Sequence, residues 1–171
     1  MNGFLAAGAF AVAAILPAVA TAACFTQREW SAQEVALLDR ELEVAALSCR
    51  VVAGVDFFQQ LNQVRIRHRI REHTAVLQGY YQRSFGGQGR TRFDRFMTSS
   101  SNDFSMRSFA ATNFCGDMLA VFEAVLKAEP GAIQEVATER AQFHRSATGE
   151  VCRTAPGQPA RPATTTARTP G

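Results

Sequence analysis

The sequence predicts an all-α fold: an antiparallel bundle of about four helices, stapled by disulfides, followed by a disordered C-terminal tail. Three observations point there. Apolar residues recur at three- and four-residue steps from Val35 to Phe143. Four cysteines, Cys24, Cys49, Cys115 and Cys152, make an even count. No segment reads as a β-strand or as an internal repeat. With 171 residues and 47% apolar content, the chain is long enough for one sizeable core.

The first helix is expected to begin at Ser31. Ser31 and Glu34 have the spacing of a capping box, with Trp30 and Val35 as its hydrophobic staple. Its apolar face runs through Leu38, Leu42, Ala45 and Cys49, and Asp39, Glu41 and Glu43 fall mostly off that face. Asp56 is placed to cap a second helix, with Gln59 at N3. Val64-Arg65-Ile66-Arg67 alternates as a strand would. No turn residue interrupts 56–78, however, so one continuous helix is predicted. The three glycines of SFGGQG, 84–89, stop it. A third helix starts near Arg90–Thr91 and carries Phe93, Phe96, Met97, Ser100, Phe104, Ala111, Cys115, Met118, Phe122 and Val125. Its weak point is TSSSND, 98–103, where a break is conceivable because these residues favour caps and turns. Pro130 fits N1 of a fourth helix with the stripe Ile133, Val136, Arg140 and Phe143.

Helix levels select a cysteine pairing. At ~1.5 Å per residue, Cys115 lies roughly 38 Å above the glycine turn, near the level of Cys49. Cys24 and Cys152 both fall low. Of the three possible connectivities, Cys49–Cys115 and Cys24–Cys152 are the pairs the levels allow.

The termini differ from the body. Residues 1–22 read as a signal peptide: an apolar stretch, Phe4–Ile15, then Pro17, then Ala20-Thr21-Ala22 as the cleavage site. The apolar run is short for a transmembrane anchor. A segment MNG without Lys or Arg departs from the usual basic start. Residues 23–152 form the helical domain, and 153–171 a Pro/Thr/Arg tail with nothing to pack. The expected location is therefore periplasmic or secreted, consistent with disulfides. A competing reading treats Ala20–Cys24 as a lipobox, which would make a lipid-anchored envelope protein; Thr21 stands where Leu is usual.

The runs ELEVAALSCR, YYQRSFGGQGRTRFDRFMT and FAATNFCGDMLAVFEAVL, within residues 35–128, resemble a group of small exported helical proteins of alphaproteobacteria. The resemblance implies a helical fold and an exported location. It carries no assigned function and no catalytic residue.

The formal net charge is +3, and three of the 18 basic residues, Arg153, Arg161 and Arg168, lie in the tail, which has no acid. Without them the basic residues equal the 15 acids, so a computed pI near 8.9 is no argument for nucleic-acid binding by the fold. Charge is nonetheless unevenly placed. Residues 65–107 hold nine arginines against Glu72, Asp94 and Asp103. Arg83, Arg90, Arg92 and Arg95 surround the glycine-rich tip and are the candidate anion-binding residues, because the planar guanidinium fork suits carboxylate and phosphate. The arginines at 65–71 are better explained by pairing with Glu34, Asp39, Glu41, Glu43, Glu135 and Glu139. Tyr80, Tyr81, Phe85 and Phe93 near the tip are either a contact patch or core.

Other chemistries lack their residues. Gly86-Gly87-Gln88-Gly89 has no following Lys-Ser/Thr, so it is a turn and not a phosphate loop. His68, His73 and His144 are poorly spaced for a metal, and a His68–Glu72 pair reads as a surface contact. Glu41/Glu43 and Glu135/Glu139 lack a glycosidase-like setting, Ser99–Ser101 lack a nucleophile elbow, and no C-x-x-C is present. No catalytic residue, metal or cofactor is assigned. The expectation is a non-enzymatic envelope protein, with a periplasmic enzyme or small-ligand carrier as the alternative.

Overall fold

The computed structural model describes residues 24–143 and 149–152. The expected signal peptide, the tail and His144 lie outside the described residues. The helices are α1 (Gln27–Cys49), α2 (Phe57–Arg67), α3 (Ile70–Phe85), α4 (Gly89–Ala110), α5 (Phe114–Lys127) and α6 (Ile133–Phe143). The protein is thus mainly helical, with two short strands, β1 (Val51–Val52) and β2 (Val55–Asp56), which form an antiparallel hairpin that the sequence did not announce.

Both expected disulfides are present. Cys49–Cys115 has its Cα atoms 5.6 Å apart and Cys24–Cys152 has them 5.0 Å apart, both within the usual bridging range. The second bridge engages the Cys24 thiol that lipidation would require. Beside it Phe25 pairs with the returning chain: its amide donates to Glu150 O at 2.9 Å, and its carbonyl accepts from Cys152 N at 2.8 Å.

Several element boundaries depart from expectation. The first helix begins earlier, at a capping box made by Thr26 and Glu29, so Trp30, Ser31 and Glu34 are already helical. Asp56 caps α2 as anticipated, accepting from the amides of Phe58 and Gln59 at 2.9 and 3.1 Å. The continuous second helix is divided: Arg69 takes the left-handed conformation, φ 50° and ψ 43°, and α3 starts afresh. No glycine or proline marks this corner. It is held from α5, where His68 Nε2 donates to Val125 O at 2.9 Å and Arg67 donates twice to Ala128 O at 3.0 and 3.1 Å. The buried His68 bond and the two exposed Arg67 bonds together offset the roughly 1–2 kcal/mol cost of a left-handed residue.

TSSSND does not break α4. Ser100 and Ser101 turn their hydroxyls back onto the carbonyls of Phe96 and Met97, at 2.9 and 3.1 Å, so their polar groups are satisfied within the helix. The helix ends instead at Ala111, whose backbone is extended, and α5 begins after Asn113. α6 starts at Ile133 rather than at Pro130.

α1 packs against every other helix, so it is the central rod rather than a half-exposed surface helix. One core cluster joins its Val35, Leu38, Leu42 and Ala45 to Phe57, Leu61, Val64, Phe122, Val125 and Ile133. A second joins Ala32 and Ala36 to Phe25, Leu77, Tyr80 and Phe93. A third joins Leu37 and Val44 to Phe104. Encirclement also buries Asp39 and Glu41, each 3% exposed, contrary to the expectation that they lie off the buried face.

Candidate functional site: the arginine-bearing end

The glycine-rich tip is compact. α3 ends at Phe85, a 3₁₀ turn covers Gly86–Gln88, and α4 follows at once. Gly89 must be glycine, because a Cβ there would meet Gln82 Cα and the Tyr81 carbonyl oxygen at 2.6 Å. This close approach sets the two helices together and gathers aromatic rings beneath the tip. Tyr81 lies 5.8 Å from Phe85, 5.9 Å from Phe93 and 5.8 Å from Phe96, centroid to centroid. Phe25 stacks on Tyr80 at 3.7 Å. Burial raises the Tyr80 hydroxyl above its ordinary range and pushes Tyr81 up to about 12. These rings are therefore mainly packing, with Tyr80 and Phe93 buried and Tyr81 and Phe85 half-buried.

The four candidate arginines divide into two kinds. Arg83 donates to both carboxylate oxygens of Glu29, at 2.8 and 3.0 Å, and lies 5.5 Å from the centre of the Tyr80 ring. Glu29 titrates below its usual range. Burial acts to raise it, and the Thr26 amide and Arg83 more than offset that. Arg83 thus ties the end of α3 to the start of α1, with its guanidinium engaged by Glu29 although its side chain is half exposed. Arg90, Arg92 and Arg95 are exposed on α4. Arg90 is 4.0 Å from Asp94 in a solvent-bathed pair, worth little by itself. Arg92 lies 4.4 Å over the Phe85 ring and reaches Gln88 Oε1 at 3.4 Å. Arg92 and Arg95 are three residues apart on one face, and Arg90 points away from them. No side chain caps α4 at Gln88, so its positive dipole end adds to the same region.

Of the arginines at 65–71 that were expected to pair with acids of the bundle, only Arg65 is seen to do so; Arg67, Arg69 and Arg71 are exposed, with Arg67 on the Ala128 carbonyl and Arg69 beside Glu72. Arg65 holds Asp39 in a fork of 2.7 and 3.1 Å, and Arg40 and Glu43 complete that network. Arg140 of α6 pairs with buried Glu41. Glu34 accepts from Trp30 Nε1 and Thr138 Oγ1, both at 3.0 Å, and from the Gln134 amide. Arg65 comes from α2, and Gln134, Thr138 and Arg140 from α6, while Trp30, Arg40 and Glu43 belong to α1 itself. The pairing of Arg65 with Asp39 and Glu43 was expected from the sequence; the depth of burial of these acids was not, because thirteen of the residues between Ala32 and Ala46 are buried only when helices surround α1.

The His68–Glu72 surface pair does not form: His68 is buried against Val125 O, and Glu72 lies 3.7 Å from Arg69. Glu135 and Glu139 are exposed. Among the described residues no group of three His, Cys, Asp or Glu is placed to hold a metal ion. Two exposed apolar side chains on α4, Met106 and Phe109, at 70% and 85%, also escaped the sequence reading. The helical register that carried the stripe through Ala111 to Cys115 is interrupted just beyond them.

Searches of protein-family models, of curated proteins and of solved structures return no match to this chain.

Proposed function

We propose that the chain is an exported, non-enzymatic helical protein of the periplasm or cell envelope, acting through contact of its arginine-bearing end with an anionic envelope component or an acidic protein partner. The observation that carries this reading is the contrast in arginine placement. Arg65, Arg83 and Arg140 are spent on internal carboxylates, whereas Arg90, Arg92 and Arg95 are directed to solvent at an uncapped helix start. Two disulfides with no free cysteine among the described residues fit an oxidising compartment. Among the described residues no helix is long and apolar enough to cross a membrane. In this reading α2 with α3, and α4 with α5, act as two of four antiparallel columns, each broken once.

The test is co-sedimentation of the mature protein with envelope membranes at low and physiological salt. Arg92→Glu with Arg95→Glu, and Arg90→Glu with Arg92→Glu, should each weaken it and flatten its salt dependence. Binding unchanged by both pairs would refute the reading. A small-ligand carrier is the second reading. It is favoured by a groove of about 380 Å³ between α1, α2 and α3, where Ile66 and Ile70 lie beside Arg71 and Thr74.

A further inference from the structure

Residues 153–171 carry Arg153, Arg161 and Arg168 and no acid, and the fold decides where they start. We propose that the Cys24–Cys152 bridge roots them at the arginine-bearing end, so that these three and Arg90, Arg92 and Arg95 make one contact with an anionic phospholipid surface, a step that rests on the envelope-contact reading of that end.

The first observation is where the chain leaves the described fold. Cys152 is bonded to Cys24, and its amide donates to the Phe25 carbonyl at 2.8 Å. Arg83 Nη2 donates to the Cys24 carbonyl at 3.5 Å, and the same guanidinium holds Glu29. Phe25 is 2% exposed and stacks on Tyr80 at 3.7 Å. Tyr80 meets Phe85 at 6.4 Å, and Arg92 covers Phe85 at 4.4 Å. Successive ring contacts therefore join the residue beside the bridge to Arg92. Arg153 is the next residue after Cys152, so the tail departs from this same end.

The second observation is charge that the fold leaves unanswered. Arg92 and Arg95 are exposed and have no ion pair among the described residues, and Arg90 has only the solvent-bathed Asp94. Of the acids nearest in sequence, Glu29 and Asp94 are already engaged, which leaves the exposed Glu150 to oppose the arginines. All six cations are arginines, whose planar fork takes two phosphate oxygens at once.

The partner follows from how the six are distributed. Three stand between residues 90 and 95 of α4, and three are spread from 153 to 168. An acidic protein face would have to match that spread with carboxylates at fixed positions. A phospholipid surface presents phosphate throughout, so each guanidinium meets one without a matched geometry. The half-buried rings of Tyr81, Phe85 and Phe96 lie among the fold's arginines and suit the interfacial layer of a bilayer, apolar on one side and wet on the other. Each arginine near such a surface contributes about fivefold in affinity. Rooting the tail beside the α4 arginines lets the two groups engage one surface together, and their contributions then multiply.

The experiment is co-sedimentation of the mature, oxidised protein with vesicles of equal parts phosphatidylcholine and phosphatidylglycerol, and with phosphatidylcholine alone. The triple variant Arg153→Gln, Arg161→Gln and Arg168→Gln keeps the tail and removes its charge. Its affinity for the anionic vesicles should fall at least roughly tenfold, with an unchanged melting temperature. Trp30, the only tryptophan, lies 5.8 Å from Phe25 and should transfer energy to dansyl-labelled headgroups when the wild-type protein binds. Polyglutamate at the same charge concentration should leave vesicle binding in place; displacement by it would make an acidic polypeptide the better partner and overturn the choice of lipid. If Arg92→Glu with Arg95→Glu leaves vesicle binding unchanged, the envelope-contact reading falls and the rooted tail with it. If that pair weakens binding and the tail variant does not, only the role of the tail falls. Binding without energy transfer from Trp30, equal binding to phosphatidylcholine alone, or no binding to either vesicle would each overturn the proposal as well.

Discussion

The charge network around Asp39 gives the sharpest stability prediction. Asp39 is 3% exposed and is held by a two-bond fork from Arg65 and by Arg40. Arg65→Leu removes the fork, keeps much of the aliphatic stem and leaves Asp39 with Arg40. A charge-assisted bond contributes about 1.5–3 kcal/mol when buried. Arg65 is one-third exposed at its side chain, which screens part of that, and Arg40 remains to share the load. The expected loss is therefore about 2 kcal/mol, below the ~3–5 kcal/mol seen when a buried charge loses every partner. Asp39→Asn should cost a similar amount. The double variant should cost clearly less than the sum, by a coupling of at least about 1 kcal/mol. Urea unfolding followed by far-ultraviolet circular dichroism reads all three against wild type, with disulfides intact. Ile66→Ser, at a position 81% exposed, is the control and should change stability by less than ~0.5 kcal/mol. A loss below that control for Arg65→Leu, or strict additivity in the double variant, would refute the view that Asp39 depends on a cross-helix partner.

Three further outcomes follow from local geometry. Gly89→Ala should destabilise by about 1–3 kcal/mol in urea unfolding, despite alanine's better helix propensity, because the new Cβ meets backbone on α3 and not a movable side chain. Ala53→Gly should stabilise by about 0.5–1 kcal/mol in the same assay, since Ala53 and Gly54 form the hairpin's two-residue loop with φ 50° and 80°, and only the glycine suits it. The Glu29–Arg83 pair should make stability acid-sensitive. Glu29 titrates lower folded than its ordinary 4.5, so the unfolded chain holds the proton more tightly. The contribution is full above 4.5 and is lost as pH falls through the folded value. The difference in urea midpoint between wild type and Arg83→Met should accordingly shrink from neutral pH to strongly acidic pH; a constant difference would show that the pair is not the source.

Much was legible in the chain because it depends on neighbours in sequence. The apolar periodicity carried helix type, Asp56 carried a cap, and the glycines at 86–89 carried the reversal. The cysteine pairing was legible too, because rise per residue fixes which thiols reach the same level.

What tertiary structure alone decided is where polar groups find partners. Ser31 with Glu34 spells a capping box as well as Thr26 with Glu29 does, and packing of Phe25 and the Cys24–Cys152 bridge against the start of α1 selects the latter. Nothing local marks Arg69 as left-handed; the carbonyls of Val125 and Ala128, about sixty residues away, hold the residues before it. Serines at 100 and 101 remain helical because their hydroxyls have carbonyls to bond. Asp39, Glu41 and Glu34 sit inside because donors on α2 and α6 meet them there. Local pattern determines which conformation a segment favours at a cost of a kilocalorie or so per residue. Burial of a polar group changes that balance by more, and its sign depends on a partner that only the assembled fold supplies.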